Sequence, residues 1–266
     1  FEAKPAAHTQ GTSIEVRDLF YATPARLKFL KTERTEMNHT IDAVKRLAMA
    51  HPNITFTLFN GERFVLKVSS SQEDLLSARL ERIDAIVGNE FGSNALPIDA
   101  NREGLRLTGY AGLPTLNRGN ASLQYIFVNG RSVRDKLFFG AVKGAYRDFL
   151  AHDRYPILAL FLEVPPDILD VNVHPAKTEV RFRNSGLVRG LIVSALKHAL
   201  ADAGHRASTT VSEAAFGAFR HPKNGLVFAQ AFKGQSVKND YYKALRSEAP
   251  NTVTSELSNL EIPPSS

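Results

Sequence analysis

The sequence predicts an α/β or α+β fold in two domains, and three observations support this prediction. Strand patterns alternate with helix patterns along most of the 266 residues. A polar run at 69–74 divides the chain, and the periodic pattern weakens after Gly204. We therefore expect a first domain over residues 1–70, a second domain over 72–204, and a largely flexible linker over 205–266.

The composition is that of a folded protein with a mildly basic surface. Hydrophobic residues make up 43% of the chain, which is enough to build cores for two modest domains. The net charge of +6 permits nucleic-acid binding without establishing it. The chain contains no cysteine, which excludes a disulfide scaffold and a thiolate metal site. No apolar run reaches the length of a membrane span, so no membrane association is expected.

The first domain is predicted to contain a strand, a helix and a β-hairpin. Residues 12–20 alternate as a half-buried strand does. Thr32 is a suitable N-cap for a helix that ends before Pro52. Alternating residues flank Asn60 and Gly61, which predicts a hairpin with a type I′ turn, because both residues tolerate a positive φ.

The second domain is predicted to begin with a helix that ends at Gly88. A later helix over 134–150 would turn Phe138, Val142, Ala145 and Phe149 inward. The continuous apolar run at 157–162 is typical of a central strand. The other expected elements are strands at 105–112, 122–128, 170–174 and 178–182 and a helix at about 185–203.

Lys177 lies on a turn that follows an alternating segment. The residue before a proline favours an extended backbone, so His174 is expected to end the strand and to shape the turn. A lysine on such a turn can present its ammonium group to a phosphate. Taken alone, Lys177 is better explained as a surface lysine, and only the motifs that accompany it favour a phosphate contact.

Two further segments accompany the lysine segment. The three are GTSIEVRDLFYATPARLKFL at 11–30, FVNGR at 127–131 and DVNVHPAK at 170–177. In this order and at these separations they resemble the MutL family of DNA mismatch repair proteins, of the bacterial type. The resemblance extends from about residue 11 to about residue 200. It implies that residues 1–70 are the C-terminal part of a GHKL (Bergerat) ATPase domain. It also implies that 72–204 form a ribosomal-protein-like transducer domain with a left-handed βαβ crossover.

The resemblance implies ATP with Mg as the cofactor. Gly11 and Thr12 would belong to an ATP-binding motif, in which the threonine hydroxyl helps to hold adenine. Lys177 would reach the γ-phosphate as a binding and catalytic residue, and would couple domain orientation to the nucleotide state. The general-base glutamate and the Mg ligand of the family lie before residue 1. We therefore expect the full-length protein to be a slow ATPase, this fragment to be inactive alone, and no metal ligand within it.

Basic residues are expected to bind DNA without reading its sequence. The resemblance favours Lys28, Lys31, Arg46 and Lys136 as these contacts. Arg131 is instead expected to hold the turn at Asn129.

The implied function is that of a mismatch repair matchmaker. It would dimerise through its N-terminal halves on ATP, bind single- or double-stranded DNA, and couple mismatch recognition to excision. The implied partners are a mismatch-sensor protein, a downstream nuclease and helicase, and a second copy of the protein, in the bacterial cytoplasm at the nucleoid. Two alternatives stay open: another GHKL machine such as a type II topoisomerase ATPase subunit, and a non-catalytic DNA-binding module. The segment at 23–30 and the turn at 129–131 argue against the topoisomerase.

Overall fold

A computed structural model of the chain describes residues 10–171 and 178–219, with side chains through residue 204. The α-helices in this part are α1 (Glu33–Ala50), α2 (Leu75–Val87), α3 (Lys136–Ala145) and α4 (Ser185–Phe219). The strands are β1 (Phe56–Asn60), β2 (Arg63–Val68), β3 (Ala95–Arg102), β4 (Leu105–Gly112), β5 (Asn117–Arg118), β6 (Gln124–Val128), β7 (Arg131–Val133), β8 (Tyr155–Pro156), β9 (Leu158–Glu163), β10 (Leu169–Asp170) and β11 (Arg181–Phe182).

A five-stranded mixed sheet in the order β3-β4-β9-β6-β7 is the centre of the fold. β9 lies in the middle, parallel to β6 and antiparallel to β4, which confirms the prediction of a central strand over the apolar run. The α+β class is likewise confirmed. The chain leaves β6, passes through β7, α3 and β8, and returns as the parallel strand β9. The predicted left hand of this crossover stays a prediction.

Both faces of the sheet are covered, and β9 shows why its sequence is apolar throughout. Leu158, Leu160 and Leu162 face a core that includes α3 and α4. Ala159 and Phe161 face a second core that includes α1, α2 and the β1–β2 hairpin. The strands approach so closely that a Cβ on Gly109 would lie 2.2 Å from the carbonyl oxygen of Ala159, which only glycine avoids.

Helix caps agree with the sequence, whereas the hairpin turn differs by one residue. The Thr32 side chain accepts a hydrogen bond from the Thr35 N–H, as predicted for the N-cap of α1. In the hairpin, Asn60 pairs with Arg63, so the turn residues are Gly61 and Glu62 rather than Asn60 and Gly61. Gly61 supplies the positive φ of +57°, and a register shift in the ladder compensates for the displaced turn.

The predicted strand over residues 12–20 is wrong. The structure has no strand there, and Ile14 and Val16 are 84% and 74% exposed. Alternation produces a strand only where a neighbouring strand accepts the backbone hydrogen bonds. Within the described residues, no strand pairs with this segment.

Three further elements differ from the sequence prediction. The helix expected to reach residue 150 ends at Ala145, and Phe149 is 48% exposed rather than inward. Tyr146 is the C-cap of this helix, and its buried hydroxyl donates to the Gly112 carbonyl at 2.7 Å. α4 continues to Phe219, beyond the expected end near residue 203. β3 was missed altogether, since as an edge strand it carries Pro97, Asp99 and Asn101.

Candidate nucleic-acid interface

Lys177 lies outside the described residues, as does His174, so the roles predicted for them stay predictions. The chain on either side is held by strand pairing, because β10 pairs antiparallel with β11. Thr178, the first described residue after the gap, accepts a hydrogen bond from the Arg134 N–H at 2.7 Å. The contacts around Arg134 therefore bear directly on the end of the lysine segment.

Gly11 and Thr12, the predicted nucleotide-binding residues, are both exposed. Gly11 has a φ of +139°, and a Cβ built on it would meet no atom within 4 Å. Phe20, in the same motif, has a φ of +72°, which is a rare backbone conformation for a bulky residue. Both predicted residues are accessible to a ligand, and their predicted role stays a prediction.

Lys28 and Lys31 lie on either side of a short connection into α1, and both are exposed. Lys28 belongs to the 3₁₀ helix Pro24–Phe29, with its Nζ 5.3 Å from the centre of the Phe29 ring. The backbone N–H of Lys31 donates to the Glu36 carboxylate at 2.8 Å, which fixes the chain at the start of α1. Both ammonium groups are therefore accessible to a phosphate.

The predicted role of Arg46 in DNA binding stays a prediction, although its side chain is buried, unlike those of Lys28 and Lys31. Its residue exposure is 9%, and its guanidinium carbon lies 4.9 Å from the centre of the Tyr125 ring. Its Nε donates to Asp42 at 2.9 Å, and its Nη1 donates to the Ser132 hydroxyl at 3.1 Å. Through these contacts Arg46 packs between α1 and the sheet.

Lys136 is the first residue of α3 and is exposed. Asp135 caps the helix and accepts a hydrogen bond from the Leu137 N–H at 2.8 Å. A cation is unfavourable at a helix N-terminus, by about 0.3–1 kcal/mol. Helix stability therefore does not explain a lysine at this position, and its predicted role in DNA binding stays a prediction.

Asp42 and Arg134 were not among the predicted site residues. The Asp42 Oδ2 accepts from Arg46 Nε and, at 2.6 Å, from Arg134 Nη2. We call this group the Asp42 joint; its members are Asp42, Arg46, Ser132 and Arg134. The sequence signal for half of it was the i, i+4 spacing of Asp42 and Arg46 on one helix. Burial raises the pKa of the neighbouring Tyr125 hydroxyl, which Arg46 opposes.

Comparisons with known proteins show the family of the chain. Residues 83–201 match the family described as DNA mismatch repair protein, C-terminal domain. The chain is 64% identical over 219 residues, 82% of its length, to the DNA mismatch repair protein MutL of Rhodospirillum rubrum. It is 63% identical over 214 residues, 80% of its length, to the MutL of Paramagnetospirillum magneticum. The chain belongs to the MutL family.

This MutL-family chain spans 35% of the length of each of these two relatives. A solved structure titled "Crystal Structure of N terminal domain of a DNA repair protein" has the same fold, with a TM-score of 0.54 at 22% identity. The match covers 69% of this chain and 59% of that one. Within the described residues of this MutL-family chain, no cluster of His, Asp or Glu is arranged to hold a metal ion. No helix in the same ranges is long and apolar enough to cross a bilayer.

Proposed function

We propose that this chain is the part of a mismatch repair matchmaker that links ATP-gated dimerisation to sequence-nonspecific DNA binding. The main support for this proposal is the 64% identity to a MutL protein across 82% of the chain. In the whole protein, this region would pass the signal from a mismatch-sensor protein to a nuclease and a helicase. It would do so as a homodimer in the bacterial cytoplasm.

The proposed nucleotide site combines Gly11 and Thr12 with Lys177. The exposure of Gly11 and Thr12, with open space beside Gly11, supports their assignment to a nucleotide. ATP would supply a γ-phosphate whose charge Lys177 stabilises, while the Mg ligand belongs to another segment of the protein. ADP lacks the phosphate that the lysine contacts, so hydrolysis would weaken the connection between the two domains.

The test of the nucleotide proposal is ATP turnover by the full-length protein with Lys177→Ala. We expect turnover to fall by about a hundredfold while nucleotide binding is largely retained, because the lost charge acts mainly on the transition state. Lys143→Ala is a suitable control, since Lys143 is exposed in the last turn of α3. Turnover unchanged by Lys177→Ala would contradict the proposal and would favour the non-catalytic DNA-binding module.

The proposed DNA contacts are Lys28, Lys31 and Lys136, all of which are exposed. Phosphate contacts release counterions, so the affinity for DNA should fall linearly with salt concentration on logarithmic axes. Lys136→Ala should lower the slope by about 0.9 and weaken binding to every sequence alike. A DNA affinity that does not change with salt would contradict this part of the proposal.

A further inference from the structure

We propose that Asp42 is a positioning residue for DNA binding, an inference that rests on the DNA-binding function proposed above. Asp42 carries a negative charge in a basic region, so by charge alone it should repel DNA. Its contacts instead indicate that it supports DNA binding, because its carboxylate joins two basic parts of the molecule. These are α1, which follows Lys28 and Lys31, and the connection from β7 into α3, which carries Lys136.

The Asp42 carboxylate binds two arginines through one oxygen atom. One oxygen, Oδ2, accepts from Arg46 at 2.9 Å and from Arg134 at 2.6 Å. The two arginine side chains differ in environment, since that of Arg46 is 10% exposed and that of Arg134 is 51% exposed. Asp42 itself is about one-third exposed, at 34%. The carboxylate thus connects a buried cation on its own helix to an exposed cation on another element.

α1 is anchored to the sheet through Arg46. This guanidinium lies over the Tyr125 ring of β6 and donates to the hydroxyl of Ser132 on β7. Asp42 lies one turn earlier on the same face of α1. Its position relative to the sheet is therefore defined by packing, and it can act as a fixed point for Arg134.

Arg134 lies directly before the start of α3. It follows β7 directly and precedes Asp135, the N-cap of α3, and Lys136, the first helical residue. Its own N–H donates to the Thr178 carbonyl, so the backbone here is held from the other side as well. Movement of Arg134 would shift the helix cap and the lysine that follows it.

Removal of the Asp42 charge therefore has two opposite expected effects. Charge alone predicts tighter DNA binding, because the basic region gains one unit of positive charge. Positioning predicts weaker binding, because Lys136 would no longer be aligned with the cations before α1, and fewer phosphates would be contacted at once. The two effects change the DNA affinity in opposite directions, so a measurement of the affinity distinguishes them.

The experiment measures the affinity of the full-length protein with Asp42→Asn for a labelled DNA duplex of random sequence across a salt series. We expect binding about fivefold weaker than wild type, with a salt slope lower by about 0.9, the value for one lost phosphate contact. Asp99→Asn is the matched control with the same charge change. Asp99 lies on edge strand β3 and pairs only with Arg106, at 3.6 Å, among the salt bridges of the described residues. Its affinity should equal that of wild type or exceed it slightly.

Arg134→Gln provides a second variant that does not depend on Asp42→Asn folding well, because the Arg134 side chain is half exposed. Arg134→Gln should weaken DNA binding to a similar degree. The double variant should bind DNA no more weakly than the weaker-binding single variant, since both changes remove the same contact. Additive losses would contradict the proposal.

Three other outcomes distinguish the possible failures. Asp42→Asn binding as tight as wild type, or tighter, overturns the positioning role. Weaker binding with an unchanged salt slope also overturns it, because a folding defect lowers the active concentration without changing the number of phosphate contacts. Wild-type binding that lacks any salt dependence overturns the proposed DNA-binding surface itself, and the positioning role with it.

Discussion

Two arginines connect the elements before residue 70 to those after it, and they do so in contrasting ways. Arg82 on α2 is 3% exposed, and its Nη2 donates to three backbone carbonyls, those of Pro52, Ile54 and Ser69, at 2.7–2.8 Å. We call this group the Arg82 joint. At the Asp42 joint, by contrast, the exposed Arg134 pairs with a carboxylate on α1.

The difference lies in what each connection would lose if it opened. Opening the Arg82 joint would leave carbonyl groups and a cation without partners in a buried site, which is costly. Burial also lowers the pKa of the Arg82 guanidinium. Opening the Asp42–Arg134 pair exposes two charged groups to water and to salt ions, which replace the contact at little cost. The Arg82 joint therefore costs more free energy to open than the Asp42–Arg134 pair.

The largest effect is expected from Arg82→Leu. Leucine fills part of the space but donates no hydrogen bond, so three carbonyls lose a partner at once. We expect the free energy of unfolding to fall by about 3 kcal/mol, measured by urea denaturation. Arg106→Leu is the control, since Arg106 is 52% exposed and pairs with Asp99 at 3.6 Å. The control should change stability by less than about 0.5 kcal/mol. Equal effects of the two changes would remove the distinction between the joints.

An intermediate effect is expected from Asp42→Asn on stability. Arg46 loses its charged partner but retains Tyr125 and Ser132, so we expect a loss of about 1 kcal/mol at low salt. This loss should shrink at high salt, because part of it comes from an exposed ion pair. The loss caused by Arg82→Leu should not change with salt. A salt-independent loss for Asp42→Asn would show that the joint behaves as a buried contact.

The smallest effect is expected from Ser132→Ala. The hydroxyl accepts one hydrogen bond, from Arg46 at 3.1 Å, and the guanidinium keeps its carboxylate partner. We expect a loss of about 0.5 kcal/mol by urea denaturation, and no change in the salt slope of DNA binding. A larger loss than that of Asp42→Asn would mean that the neutral contact, rather than the carboxylate, holds α1 on the sheet.

Local signals in the sequence predicted most of the helices and the central strand. Thr32 begins α1 and Gly88 ends α2 where expected, because caps act through hydrogen bonds within a few residues. Failures occurred where a distant partner decides the outcome. The segment with Ile14 and Val16 alternates, but no strand of the described residues pairs with it. Phe149 lies beyond the C-cap of α3 and is exposed.

The candidate site follows the same division. Lys28, Lys31 and Lys136 were predicted from the family resemblance, and the structure shows that all three are exposed. The burial of Arg46 could not be predicted, because it depends on Tyr125 and Ser132, which lie more than 75 positions away in the chain. Arg82 gave no signal at all, because arginine is rarely buried unless it is paired, and its three acceptors are backbone groups.

The sequence by itself determined the family, a fold of mixed helices and strands, and the central strand, because motifs, caps and continuous apolar runs are local patterns. The tertiary structure alone decided which cations are buried and which are exposed. It also decided that one carboxylate, Asp42, joins α1 to the start of α3. The physical reason is that a charged side chain has no fixed role in a sequence: its free energy depends on the acceptors, rings and water that the fold places around it.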